Sequence, residues 1–210
     1  MAKFPLQPGS TIGILGGGQL GRMLAMAGAR LGFDIAILTP EDDAPASRVA
    51  ARTIRAAYDD PAGLEALAQG CDVVTFEFEN VPATAVERLI ELGAEVAPSA
   101  RALAIAQDRF EEKSFLNAAG APTVAFAEVN GRDDLSRALK HLGAPLLLKT
   151  RRGGYDGKGQ AWVMRPRDAD AALKSLGGRP CIAEAPADFR RELAIIAARG
   201  REGEIALYPL

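Results

Sequence analysis

Leu146-Leu147-Leu148-Lys149-Thr150-Arg151-Arg152-Gly153-Gly154-Tyr155-Asp156-Gly157-Lys158-Gly159-Gln160 is the stretch whose reading decides the fold. It opens after Pro145 as an apolar run, Leu146 to Leu148, with the character of a short buried strand. Lys149 ends that strand. Gly153, Gly154, Gly157 and Gly159 follow among Arg151, Arg152 and Lys158. Glycine lacks a Cβ and tolerates positive φ, so backbone N–H groups in such a loop can approach a phosphate closely. The cations supply charge of the matching sign. The stretch therefore suits a lid over a polyphosphate, and the competing reading is a solvated glycine hairpin.

A Walker A loop needs G-x-x-x-x-G-K-[S/T] between a strand and a helix. Here Gln160-Ala161-Trp162-Val163-Met164 comes next and reads as another strand. The glycines cap a hairpin rather than a helix.

Working outward, 210 residues suffice for one large domain or two small ones. The formal net charge of −2 excludes bulk attraction to nucleic acid. Cys71 and Cys181 are far apart and lack metal spacing, which fits packed core residues in a reducing cytosol. Met1 to Ser10 lacks a signal peptide's apolar core, and no apolar run approaches a membrane span. His141 is the one histidine, late in a predicted helix, so no Ser/His/Asp triad and no His-rich metal site can be built.

The N-terminal half alternates strand and helix. Thr11 to Leu15 is a strand, Gly16 to Gly21 a G-x-G-x-x-G turn, and Arg22 to Leu31 a helix. Strands follow at Asp34 to Leu38, Thr53 to Ala56, Asp72 to Phe76 and Glu95 to Ala97. Helices are expected from Pro61 to Gln69, capped by Asp60, and from Pro82 to Leu92. This order predicts a parallel sheet with helices on both faces.

The glycine turn has three readings. A dinucleotide site wants an acid closing the second strand, where Leu38-Thr39-Pro40 stands instead. A single phosphate, or the edge of a small phosphorylated substrate, fits as well. The turn also serves packing alone. Glu77 and Glu79 lie just past the fourth strand, at the sheet edge where open α/β sheets bind ligands. Either faces the cleft or serves the next helix N-terminus.

After Pro98 the pattern changes. Ala100 to Ala119 reads as one alanine-rich helix bridging two domains. The second unit runs strand (Thr123 to Ala127), helix (Asp133 to Leu142), strand (Leu146 to Lys149), glycine loop, strand (Ala161 to Met164), helix (Asp168 to Leu176) and strand (Cys181 to Glu184). A strand-rich segment begins at Ala187.

Four motifs in this order, Gly16 through Leu24, Glu77-Phe78-Glu79-Asn80-Val81-Pro82, Asp108-Arg109 with Lys113, and Lys149 through Gln160, resemble the 5-(carboxyamino)imidazole ribonucleotide synthases. These are ATP-grasp carbon–nitrogen ligases of purine biosynthesis. The resemblance implies an α/β chain: a Rossmann-like parallel sheet (pre-ATP-grasp, residues 1–107), an α+β ATP-grasp small lobe with its lid (108–185), and the start of the larger lobe (186–210). It implies a cytoplasmic homodimer whose small-molecule substrates are ATP, bicarbonate and 5-aminoimidazole ribonucleotide, with neither nucleic acid nor membrane as partner.

By the same resemblance, Arg109 and Lys149 contact ATP phosphates, and Gly154, Tyr155, Asp156, Gly157, Lys158, Gly159 and Gln160 form the lid. Glu184, Ala185, Pro186 and Ala187 line the adenine, and Glu192 holds the ribose. Gln19, Leu20 and Glu77 touch the aminoimidazole ribonucleotide, while Tyr155, Asp156 and Lys158 orient its amine and are the catalytic candidates. Family members extend past residue 210, and the expected Mg²⁺ ligands lie there, so none is assigned in this chain and residues 1–210 alone are expected to be inactive. Rival readings are formate-dependent glycinamide ribonucleotide transformylase, whose loop lacks the Gly-Tyr-Asp-Gly run, a nucleotide-binding module without catalysis, and a dehydrogenase resting on the first glycine motif.

Overall fold

The computed structural model describes residues 4–154, 157–200 and 202–209. Its first sheet has the order β3-β2-β1-β4, all parallel, formed by Arg52–Arg55, Asp34–Thr39, Thr11–Leu15 and Val73–Phe76. The expected fifth strand is reduced to a bridge between Val96 and Val74. Side-chain alternation sorts the core. Ile14, Ile35 and Ile37 pack with Ala25 of α1 (Gln19–Arg30). Leu15, Ala36 and Leu38 face α2 (Pro61–Gln69) and α3 (Ala83–Glu91), whose Leu64, Leu67, Val86 and Leu89 are buried with them. Asp60 caps α2 as the sequence predicts, accepting from Gly63 N at 2.6 Å.

The face that α1 turns to the sheet is Gly21, Ala25 and Gly28. A Cβ on Gly28 would stand 2.8 Å from Ile35 Cδ1, so the helix lies close to the strands. Its bulky residues point outward, with Leu20, Met23, Leu24 and Met26 all exposed.

The single bridging helix expected from Ala100 to Ala119 is two helices, α4 (Ala100–Ala106) and α5 (Arg109–Ala118). Asp108 breaks it. Its backbone is extended (φ −127°, ψ 112°) and its carboxylate caps α5 by accepting from Phe110 N at 3.0 Å.

The second sheet, order β5-β8-β6-β7, is antiparallel and shares no strand with the first. Its strands are β5 (Phe126–Val129), β6 (Leu146–Thr150), β7 (Gln160–Val163) and β8 (Cys181–Glu184). The strand expected from Thr123 starts three residues later. Leu146 and Leu148, with Val129, Val163, Cys181 and Ala183, pack on α6 (Arg132–Leu142) and α7 (Ala169–Ser175). Beyond Glu184 the expected strand-rich segment yields one small hairpin, β9 (Ala197–Arg199) with β10 (Ile205–Leu207), exposed along its length.

Candidate nucleotide and substrate site

Strand pleating places the chemistry. In β6, Leu146, Leu148 and Thr150 are buried while Leu147 and Lys149 face the other way. Leu147 lies opposite Glu184 of β8, and Lys149 opposite Ile182. Lys149 and Glu184 are thus diagonal neighbours on one face, within reach of a long side chain. Lys149 Nζ donates to Glu184 Oε2 at 2.7 Å. Glu184 is buried, and a second ammonium, Lys113 of α5, stands 3.5 Å from its Oε1. Trp162, opposite Leu147 on β7, shares this face and is exposed.

The hairpin between β6 and β7 is braced at its base. Thr150 N donates to Gly159 O at 2.8 Å, and Arg109 Nη2 to Gly154 O at 2.6 Å. Arg109 N also donates to Arg151 O at 3.0 Å. Gly159 has φ +71°, and a Cβ there would come 2.7 Å from the buried Thr150 hydroxyl, so only glycine closes this neck.

Arg151 carries most of the charge pairing. Its Nε donates to Asp108 Oδ1 at 2.8 Å, and it also meets Glu111 and Glu128. Its guanidinium lies 5.2 Å from the Phe110 ring centre, and Phe110 in turn stands edge-on to Phe126. Arg152 reaches the same Asp108 carboxylate at 3.3 Å. Burial works against ionisation of Asp108, but hydrogen bonds from Arg151 and the Phe110 N–H outweigh it and hold the carboxyl below the ordinary aspartate range.

In the first half, Glu77 answers the question left by the glycine turn. Its Oε1 accepts from Gly18 N at 2.6 Å and its Oε2 from Gly21 N. A Cβ on Gly16, which has φ +117°, would fall 2.3 Å from Glu77 Cγ. The glycines form a cradle for this internal carboxylate, which takes the Gly18 and Gly21 N–H groups. Glu77 also lines a cavity of about 380 Å³ with Phe76, Phe78, Glu79, Pro98 and Ala102. Gln19 and Leu20 open α1 and are exposed beside the cradle.

The sequence-predicted residues therefore fall into separate groups. Lys149, Glu184, Arg109, Gly154 and Gly159 converge. Glu77 sits with the glycine turn of the other sheet. Ala185 N is tied to Ala125 O, while Pro186, Ala187 and Glu192 are exposed. Gln160 lies opposite Lys149 on β7 and shares its face of the sheet, while Gly157 and Lys158 are exposed in the hairpin, where Lys158 has an interaction of its own. Tyr155 and Asp156 lie outside the described residues. Arg151 and Arg152, expected to lend charge to a polyphosphate, are instead paired with Asp108, and three residues had no role assigned from sequence: Lys113, Asp108 and Gln107, whose Nε2 donates to both Glu79 O and Val81 O at 2.6 Å. The signal was present in Gln107-Asp108, a capping residue inside a helical pattern. Among the described residues no three His, Cys, Asp or Glu side chains group to hold a metal, so no Mg²⁺ ligand is assigned here.

A ribonucleotide synthetase preATP-grasp domain matches residues 9–107 and an ATP-grasp domain matches residues 114–210. Residues 114–210 belong to the ATP-grasp family. Among curated relatives it is 50% identical to the N5-carboxyaminoimidazole ribonucleotide synthase of Brucella melitensis, covering 100% of this chain and 58% of that protein. It is 47% identical to that of Pseudomonas aeruginosa, covering 95% and 55%. The chain thus spans little more than half the length of these relatives. Among ATP-grasp structures, the Staphylococcus aureus N5-carboxyaminoimidazole synthetase complexed with ADP superposes with a TM-score of 0.92 at 38% identity, covering 97% of this chain and 54% of that one. The Aspergillus clavatus enzyme in complex with ADP and 5-aminoimidazole ribonucleotide gives 0.84 at 33% identity, covering 96% and 53%.

Proposed function

We propose that the full-length protein is an N5-carboxyaminoimidazole ribonucleotide synthase. ATP phosphorylates bicarbonate: a bicarbonate oxygen attacks the γ-phosphorus and ADP leaves, giving carboxyphosphate. The exocyclic amine of 5-aminoimidazole ribonucleotide attacks the carboxyl carbon, or the CO₂ that carboxyphosphate releases. Phosphate departs and the nitrogen loses a proton. Such chemistry rests on positioning and charge neutralisation, with no protein nucleophile.

The observation that carries this reading is the pairing of two sites in one chain. A cation-bearing sheet face under a braced glycine hairpin stands in one half, and the Glu77 cavity at the end of a parallel sheet stands in the other. The related Aspergillus clavatus enzyme is in complex with ADP and 5-aminoimidazole ribonucleotide together. In this reading Lys149 and Arg109 leave their internal partners to meet phosphates, and 154–160 close over them. Glu184 through Ala187 flank the adenine and Glu192 the ribose. Glu77, Gln19 and Leu20 meet the ribonucleotide, while Tyr155, Asp156 and Lys158 orient its amine. Mg²⁺, for which the described residues offer no cluster of ligands, would supply charge neutralisation at the phosphates when bound. The domain limits proposed are 1–107, 108–185 and 186–210.

A cytoplasmic homodimer belongs to the same proposal. The outward Met23, Leu24 and Met26 of α1 are the kind of apolar surface that subunit contacts cover. No helix among the described residues is long and apolar enough to cross a membrane.

The test is phosphate release by the full-length protein, with bicarbonate and with or without 5-aminoimidazole ribonucleotide. Release that depends on the ribonucleotide, with a carboxylated product, supports the proposal. Formate-dependent turnover with glycinamide ribonucleotide, or nucleotide binding without turnover, overturns it. Residues 1–210 alone are expected to release no phosphate.

A further inference from the structure

One buried carboxylate stands between two ammonium groups, and the two contacts are unequal. Glu184 is 5% exposed. Its Oε2 is hydrogen-bonded by Lys149 Nζ at 2.7 Å. Its Oε1 has no hydrogen-bond partner among the described residues, and Lys113 Nζ waits 3.5 Å away. The two lysines come from different elements. Lys149 ends β6, in the sheet that carries the glycine hairpin, and Lys113 stands on α5.

A buried carboxylate without a partner is costly. If Lys149 turns to a phosphate, Glu184 loses its only hydrogen-bonded counter-ion among the described residues. Two cations and one anion also leave the group one positive charge in excess, which an arriving polyphosphate meets.

We infer that Lys113 is the replacement counter-ion of Glu184: when nucleotide phosphate draws Lys149 away, Lys113 moves from ion-pair distance into a hydrogen bond with Oε1. This rests on the reading that Lys149 binds phosphate. Lys113 touches no nucleotide and is a positioning residue. It lets Lys149 leave without stranding a buried charge.

The experiment is a double-mutant cycle on the full-length protein, with ADP and ATP affinities measured by calorimetry. Lys113→Met keeps the stem and removes the charge. It should weaken nucleotide binding about tenfold or more, the scale of one charge-assisted hydrogen bond. In the Glu184→Gln background the same change should alter affinity by no more than about twofold, because a neutral amide needs no counter-ion. Lys113→Arg should recover most of the loss. Equal losses in both backgrounds would mean that Lys113 contacts the nucleotide itself and would overturn the handover, as would unchanged affinity in Lys113→Met. If Lys113→Met fails to fold, a wild-type structure with ADP decides. Lys113 Nζ within about 3.2 Å of Glu184 and Lys149 Nζ released to phosphate supports the inference. Lys149 still bound to Glu184 beside ADP sinks it. Wild-type protein that binds no nucleotide overturns the functional reading as well, which separates the two failures.

Discussion

Asp108 Oδ1 lies 2.8 Å from Arg151 Nε while the same carboxylate caps α5 through Phe110 N. One side chain thereby starts a helix and fixes the strand that leads into the glycine hairpin. Arg109, its neighbour, then secures Gly154 O.

Replacing Asp108 with alanine removes a helix cap and one side of a largely buried ion pair. The expected destabilisation is about 2–3 kcal/mol, a cap contributing about 1 and a charged hydrogen bond about 1.5–3 before neighbours compensate. Arg151 keeps Glu111 and Glu128, which limits the loss. Urea unfolding measures it, and an unchanged midpoint would remove the clamp from consideration.

The same carboxylate sets an acid limit. Its folded pKa lies below the ordinary aspartate value. A depressed carboxyl contributes stability that is present above its unfolded pKa, about 3.9, and is lost as pH falls through the folded value. The stability difference between wild type and Asp108→Asn should therefore be full near about pH 6 and shrink below about pH 4. A difference that is flat across this window would contradict the assignment.

Gly16 and Gly93 separate crowding from backbone strain. Both have positive φ, but a Cβ on Gly16 meets Glu77 at 2.3 Å whereas one on Gly93 meets nothing within 4 Å. Gly93→Ala should cost about 1 kcal/mol from strain alone. Gly16→Ala should cost several kcal/mol, because Glu77 must leave its two N–H donors. Thermal unfolding of both variants checks this, and equal losses would mean that the cradle is loose.

Lys149→Ala in the full-length protein should weaken ATP binding or turnover by about 2 kcal/mol or more, since a charge-assisted phosphate contact disappears. Unchanged kinetics with ATP would refute the role.

Hydrogen exchange should divide the hairpin. The amides of Arg109, Thr150 and Arg151 are already bonded and should exchange slowly without nucleotide. Those of Gly157 and Gly159 should slow when Mg-ATP is added. Equal protection with and without nucleotide would argue against a lid.

Much of this was written in the chain. The apolar run Leu146 to Leu148 placed a buried strand, which runs one residue past Lys149 to the buried Thr150, and its pleat turns Lys149 away from Leu146 and Leu148. The period-2 pattern cannot say what lies across the sheet, so the Lys149–Glu184 pair waited for the β6–β8 register. The glycine turn was legible as a turn, but its occupant was not, because Glu77 arrives from 59 residues beyond Gly18. The long helix failed for a local reason. Alanine-rich sequence carries helix propensity straight through Gln107-Asp108, while Asp108 is committed by tertiary contacts to start a new helix.

That break has a mechanical side. Gln107 holds the carbonyls of Glu79 and Val81, at the rim of the Glu77 cavity, and Asp108 holds Arg151 at the root of the hairpin. Consecutive residues are anchored in different halves of the molecule, so a single peptide unit acts as a fulcrum. A tilt between the halves would load this unit, since its two side chains are bonded to different halves.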